Sequence, residues 1–85
     1  MSEKEERILG QLKQLFAEQT GNNNLQVTED TALLSDLGMN SLELVQLVCV
    51  IEDTFDVEIP DREIRHFKTV GNVVRWIDSH TSDEN

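Results

Sequence analysis

The sequence has little cysteine, proline and aromatic content, and these shortages exclude several kinds of protein. Cys49 is the only cysteine, so no internal disulfide can form, and together with two histidines it cannot complete a zinc site of the usual four Cys and His ligands. No apolar run approaches the length of a membrane span. The opening stretch MSEKEERILG is charged and lacks the apolar core of a signal peptide, so we expect a cytoplasmic protein.

Basic residues are also scarce, and the charges are unevenly distributed. The 85-residue chain has 7 Lys and Arg against 17 Asp and Glu, which gives a net charge of −10. Residues 14–61 contain ten acidic residues and no Lys or Arg. A negative field of this kind repels nucleic acids and anionic membranes and attracts basic protein surfaces. The alternative is that the acidity only keeps a small protein soluble.

The spacing of apolar residues predicts one all-α domain over residues 1–85. From Ile8 onward, apolar residues recur at i, i+4 and i+8, which places them on one face of a helix. The predicted helices form a small four-helix bundle with a long loop between helices 1 and 2 and a short helix 3, and they cover residues 3–18, 41–55, 60–66 and 70–80. We expect residues 1–2 and 81–85 to fray.

The stretch DLGMNSLELVQLV, residues 36–48, runs from a glycine turn into an apolar helix and places a hydroxyl at the helix start. Asn40 is the predicted N-cap, and Glu43 follows at the capping-box spacing. Ser41 then falls on the first helical turn with its side chain pointing outward. Free backbone N–H groups and the helix dipole favour a negative group there, such as a phosphate ester. The alternative is an ordinary helix-start serine.

Catalysis by the chain itself is not predicted. A nucleophilic serine needs a nearby base and an orienting acid, and neither His66 nor His80 lies in a motif that would aim it at Ser41. A G-x-S-x-G elbow is absent from the sequence. The D-x-[DN]-x-[DN]-G spacing of a calcium loop is absent as well, so the sequence predicts no specific metal site.

The predicted helix 2 carries two apolar stripes. One lies on the face that is expected to enter the core. The second lies on the opposite side and consists of Leu42, Val45 and Cys49. Either helix 2 is buried on both sides, or the second stripe is an exposed patch that suits transient docking. Periodicity alone leaves both interpretations open.

One longer stretch, LGMNSLELVQLVCVIEDTFDVEIPD, resembles the pattern LGxDSLxxVxLxxxxExxFxxxIPD of the acyl carrier protein family. The resemblance extends over essentially the whole chain. It implies a carrier without catalysis of its own that bears 4′-phosphopantetheine on Ser41, added from coenzyme A by a phosphopantetheinyl transferase. The terminal thiol of this arm would hold acyl intermediates as thioesters and present them to enzymes of fatty acid, lipid or polyketide biosynthesis.

The resemblance also implies three roles for residues around Ser41. The helix-start and transferase-facing residues are Asp36, Gly38, Asn40, Leu42 and Glu43. The partner-docking residues are Val45, Gln46, Cys49, Glu52 and Asp53. The candidates for lining an acyl pocket are Leu33, Leu34, Leu37, Leu47, Ile51, Ile64, Phe67 and Val73. The implied docking role favours the exposed-patch interpretation of the second stripe.

Three departures from the family pattern indicate a specialised carrier. Asn40 stands where the family usually has Asp, and Gln46 stands where it usually has an acid. The predicted helix 3 and the residues after it carry basic side chains where the main fatty-acid carrier is usually acidic, namely Arg62, Arg65, His66 and Lys68. We therefore expect acyl-transfer or condensing enzymes with basic or mixed-charge docking surfaces as partners.

Two other functions remain compatible with the sequence. One is an unmodified helical adaptor in which Ser41 is only structural. The other is a carrier of aminoacyl or peptidyl groups rather than fatty acyl chains. In each case we expect a monomer that binds no nucleic acid.

Overall fold

The computed structural model describes residues 2–21 and 26–81, and its named elements are four helices. In chain order they are α1 (Glu3–Thr20), α2 (Ser41–Phe55), α3 (Asp61–Ile64) and α4 (Val70–His80). The predicted all-α class with four helices is confirmed. Part of the predicted long loop between helices 1 and 2 lies outside the described residues, as does most of the expected fraying at the two ends. Among the described residues, no helix has both the length and the apolar content needed to cross a bilayer.

The predicted bounds of α2 and α4 are confirmed. Helix α1 is two residues longer than predicted, and α3 covers Asp61–Ile64 rather than the predicted residues 60–66. Pro60 is the N-cap of α3 rather than its first residue, because its ψ of 149° is extended. At the other end, His66 and Phe67 donate their N–H groups to carbonyls three residues earlier, those of Glu63 and Ile64. These turn bonds end the α-helical pattern at Ile64.

Capping boxes begin three of the helices. Ser2 Oγ accepts a hydrogen bond from the N–H of Glu5 at 3.1 Å, and Glu5 Oε1 accepts one from the N–H of Ser2 at 2.9 Å. The backbone N–H of Ser2 beside the carboxylate lowers the pKa of Glu5. Thr69 and Asn72 make the same reciprocal pair at α4. These side chains satisfy backbone N–H groups that the first helical turn leaves free.

The hydrophobic core lies between α1, α2 and α4, each of which buries one face. The largest fully buried side chains are Phe16, Leu12, Leu33, Leu47, Ile51, Ile77, Val70, Val73 and Val74. Burying one side chain of this size stabilises the fold by roughly 1.5–3 kcal/mol. Because α2 contributes its core face to this cluster, its outer face is fixed in direction.

The segment before α2 is held against the start of α4 by backbone hydrogen bonds. Leu33 N–H donates to the carbonyl of Lys68 at 3.0 Å, and Val70 N–H donates to the carbonyl of Thr31 at 2.9 Å. Gly71 N–H donates to the carbonyl of Glu29 at 2.8 Å. A Cβ on Gly71 would lie 2.9 Å from the same Glu29 oxygen, so glycine is what permits this close approach.

Gly71→Ala should therefore destabilise the protein. The added methyl group pushes the Glu29 backbone away, and we expect a loss of about 1–3 kcal/mol in the free energy of unfolding, measured by urea denaturation. Gly10→Ala is the matched control, since a Cβ there meets nothing within 4 Å. This control should gain about 0.5–1 kcal/mol from helix propensity. Equal effects of the two substitutions would contradict the packing described here.

Glu52 organises the connection from α2 to α3. Its backbone carbonyl accepts the N–H of Asp56, which ends α2 in the left-handed conformation at φ 56°, and the N–H of Val57 at 3.1 Å. Its side-chain Oε2 accepts the N–H of Ile59 at 2.7 Å. Ile59 is buried, so the Glu52 carboxylate satisfies a donor that would otherwise lack a partner at the edge of the core.

Glu52→Ala should cost about 1–3 kcal/mol in the free energy of unfolding, because it leaves the Ile59 N–H without its charged acceptor. Asp53→Ala removes the same charge from the exposed neighbouring position and should change stability by less than about 0.5 kcal/mol. Both values come from urea denaturation. A Glu52 variant as stable as the Asp53 variant would show that the carboxylate has no structural role.

Candidate functional site

Ser41 is the first residue of α2, and its side chain is exposed. Asn40 Oδ1 accepts the N–H of Glu43 at 2.8 Å, and Glu43 Oε1 accepts the N–H of Asn40 at 3.0 Å. Gln19 of α1, which the sequence did not single out, donates from Nε2 to the Glu43 carbonyl at 3.0 Å. Among the described residues, the Ser41 hydroxyl and the N–H groups of Ser41 and Leu42 have no hydrogen-bond partner. The hydroxyl is thus free at the positive end of a helix.

A tight turn sets the direction from which the chain enters α2. Asp36 Oδ2 accepts the N–H of Ala32 at 2.9 Å, and the N–H of Asp36 donates to the Ala32 carbonyl at 3.0 Å. Gly38 has φ 67°, a left-handed conformation that favours glycine. Met39 follows with its side chain buried. Asp36 and Gly38 therefore shape the turn that presents Ser41, and both remain exposed.

A surface groove of about 760 Å³ lies beside Ser41. It is bounded by the first half of α2, the segment before it, and α3 with the residues that follow α3. The lining residues are Ala32, Leu34, Ser35, Ser41, Leu44, Val45, Asp61, Ile64, Arg65, Phe67 and Lys68. The groove combines apolar walls with charged groups at its α3 side, so it suits a flexible molecule that has both apolar and anionic parts.

The acyl-pocket candidates separate into two groups. Three of the eight line the groove beside Ser41, namely Leu34, Ile64 and Phe67. Four lie in the packed core with at most 1% exposure, namely Leu33, Leu47, Ile51 and Val73. The last, Leu37, is partly buried against that core. The structure therefore brings only the first three together with the hydroxyl.

The outer face of α2 is exposed. Leu42 and Val45 are 66% and 45% exposed, and Cys49 lies at the surface farther along the helix. The interpretation in which helix 2 is buried on both sides is therefore wrong. Gln46 and Asp53 are also exposed and flank this stripe. Glu52, the remaining docking candidate, is half-buried, and its carboxylate accepts a hydrogen bond from the Ile59 N–H.

The fold divides the basic residues of the α3 region into two groups. Arg65 and Lys68 line the groove beside Ser41. Arg62 pairs with Glu63, with 3.9 Å between Nε and Oε2, and His66 lines a different cleft beside α4. Sequence analysis treated these residues as one basic cluster. Spacing alone does not separate the two groups, because Arg62 and Arg65 are three residues apart, as are Arg65 and Lys68.

The described residues provide no histidine at the Ser41 groove. His66 lies in the cleft beside α4, and the His80 ring stacks on Trp76 with 3.8 Å between ring centroids. His80 Nδ1 also lies 2.8 Å from the carbonyl oxygen of Trp76. Among residues 2–21 and 26–81, no three His, Cys, Asp or Glu side chains are grouped so that they could hold a metal ion.

Comparison with known proteins finds matches over most of the chain. A family model described as "Phosphopantetheine attachment site" matches residues 10–77. The chain is 38% identical over 74 residues to an acyl carrier protein of Clostridium perfringens, covering 87% of this chain and 97% of that protein. It is 40% identical over 73 residues to an acyl carrier protein of Wolinella succinogenes, covering 86% and 96%. A solved structure of acyl carrier protein from Enterococcus faecalis superimposes with a TM-score of 0.76 at 27% identity, covering 92% of this chain and 99% of that one.

These matches show the family of the chain as well as its fold. They span most of this chain and nearly the full length of the relatives, and the matched family is defined by a covalently attached prosthetic group. Its members are carriers rather than enzymes, and they interact with transferases and acyl-handling enzymes. The chain belongs to the acyl carrier protein family, and its prosthetic group is phosphopantetheine.

Proposed function

We propose that Ser41 Oγ is the attachment point of the phosphopantetheine arm. The chain then carries acyl intermediates of fatty acid, lipid or polyketide type as thioesters and presents them to biosynthetic enzymes. The observation that carries the proposal is the exposed Ser41 hydroxyl at the first position of α2, which has no hydrogen-bond partner among the described residues. Within residues 2–21 and 26–81 no hydrogen bond uses this oxygen, so a group attached to it would replace none of the bonds described above.

The start of α2 fits a phosphodiester on that oxygen. The N–H groups of Ser41 and Leu42 are free, and the helix dipole places partial positive charge at the same end. The Glu43 carboxylate is already engaged by the Asn40 N–H, so it is held away from a group on Ser41. In this proposal the phosphopantetheinyl transferase supplies the base for the transfer.

The exposed face of α2 is the proposed docking surface. Leu42 and Val45 supply an apolar centre, and Gln46, Cys49 and Asp53 extend it along the helix. Such a patch with a charged rim suits weak and reversible contacts. The net charge of −10 favours encounters with basic or mixed-charge partner surfaces. We assign Glu52, by contrast, to holding the connection to α3 rather than to direct contact with partners.

The groove beside Ser41 is the proposed resting place of a short acyl group. Leu34, Ile64 and Phe67 line it with apolar groups, and Leu34 is 49% exposed. Burial of each methylene contributes roughly 0.8 kcal/mol. A short chain is therefore held by a few kcal/mol, and docking to a partner enzyme can reverse this.

Two alternatives differ in what Ser41 carries. In an unmodified adaptor, the same hydroxyl would stay bare and only the α2 surface would act. In an aminoacyl or peptidyl carrier, the arm would be present with a different load. Intact mass of the protein purified from its own cell separates the three, because it reports both the arm and the group on its thiol.

Ser41→Ala should abolish attachment of the arm. Wild-type protein incubated with coenzyme A and a broad-specificity phosphopantetheinyl transferase should gain the mass of one phosphopantetheine group, read by intact-mass spectrometry. Ser35→Ala is the matched control, because Ser35 is also exposed and lines the same groove, and this variant should be modified like wild type. A wild-type chain that gains no mass, or a Ser41 variant that does, would contradict the assignment.

A further inference from the structure

We propose that Arg65 and Lys68 bind the phosphodiester of the arm and hold the arm along the groove between α2 and α3. The inference rests on the proposed attachment at Ser41 and concerns what this chain does with the arm between encounters. It follows from the placement of two cations and the modified hydroxyl on one groove.

The two cations are available for an anion. Both side chains are exposed, and neither forms an ion pair among the described residues. Other arginines of the same half of the chain are engaged, since Arg62 lies 3.9 Å from Glu63 and Arg75 lies 3.7 Å from Glu29. The fold therefore leaves the positive charge on the side of the α3 region that faces Ser41.

The charges around Arg65 and Lys68 indicate what these two side chains bind. The chain is strongly acidic, and a phosphodiester on Ser41 adds one more negative charge to its acidic middle segment. Asp61 also lines the groove, so the two cations face one carboxylate and have one positive charge in excess. An added phosphodiester balances that excess. Arginine and lysine are the usual side chains for this group, the first through a planar fork of donors and the second as a point charge.

The remaining groove walls suit the next part of the arm. Val45, Ile64 and Phe67 line the same groove as the hydroxyl and the two cations and offer apolar surface there. The pantoyl portion of the arm carries two methyl groups directly after the phosphate, and these have an apolar surface to contact. Charge and apolar contacts thus act on adjacent parts of the same flexible group.

The phosphodiester is a better occupant than a carboxylate on the cargo. It is fixed to Ser41 itself, so its effective concentration at the groove is high and does not depend on which acyl group is loaded. A carboxylate on the cargo is present only with some acyl groups and is separated from Ser41 by the whole length of the arm. The geometry of the groove therefore favours the phosphodiester.

The test compares the apo and holo forms of the full chain by amide NMR and by phosphorus-31 relaxation of the phosphodiester. Attaching the arm should shift the amide signals of residues 64–68 as well as those around Ser41, and added salt should weaken the shifts at residues 64–68. Arg65→Gln combined with Lys68→Gln should abolish the shifts at residues 64–68, keep those around Ser41, and make the phosphodiester more mobile. Each single variant should lose part of the effect.

Arg62→Gln is the matched control, because it removes the same charge from a position outside the groove and should leave all of these signals as in wild type. If the arm attaches to Ser41 and the signals of residues 64–68 do not respond, the inference is wrong and the proposed function stands. Signals that respond only after a carboxylated acyl group is loaded also overturn it. If Ser41 accepts no arm at all, both proposals fail, and mass spectrometry distinguishes that outcome.

Discussion

The reciprocal capping between Asn40 and Glu43 is the interaction on which the site depends. Serine is itself a favoured N-cap residue, and a helix that began one residue later would use the Ser41 oxygen to satisfy its own backbone. Because Asn40 and Glu43 satisfy each other, the Ser41 hydroxyl is left outside the helix. The side-chain oxygen of Asn40 accepts this hydrogen bond without adding a charge beside Ser41.

Local spacing made much of the fold predictable, and the start of α3 was misplaced because two local rules compete there. The caps Asn40 and Thr69 mark the starts of α2 and α4, and both bounds are as predicted. Pro60 suits either the first helical position or the residue before it, and the sequence does not choose between them. The sequence also leaves open whether the second stripe is exposed. Periodicity tells on which side of a helix a residue lies, but not whether another element covers that side.

The candidate site was predictable only in its contiguous part. The turn and the start of α2 follow from residues next to one another, whereas the groove joins three segments that are apart in the sequence. One of them, the segment before α2, is held in place by backbone hydrogen bonds to Lys68 and to the start of α4. Resemblance alone does not distinguish the pocket candidates that line the groove from those, such as Leu47 and Ile51, that lie in the core. The resemblance implies a docking role for Glu52, and the structure adds that its carboxylate accepts the Ile59 N–H.

A carrier must hold its arm and also release it, and the exposure of Arg65 and Lys68 reconciles the two requirements. A buried ion pair would cost several kcal/mol to open, because an uncompensated charge would remain in the interior. Exposed pairs contribute only about 0.2–1 kcal/mol each and weaken with salt. That is comparable to burying a single methylene of cargo, at roughly 0.8 kcal/mol. A partner with a basic surface can bind the phosphodiester in place of Arg65 and Lys68. Docking of the partner then releases the arm from the groove.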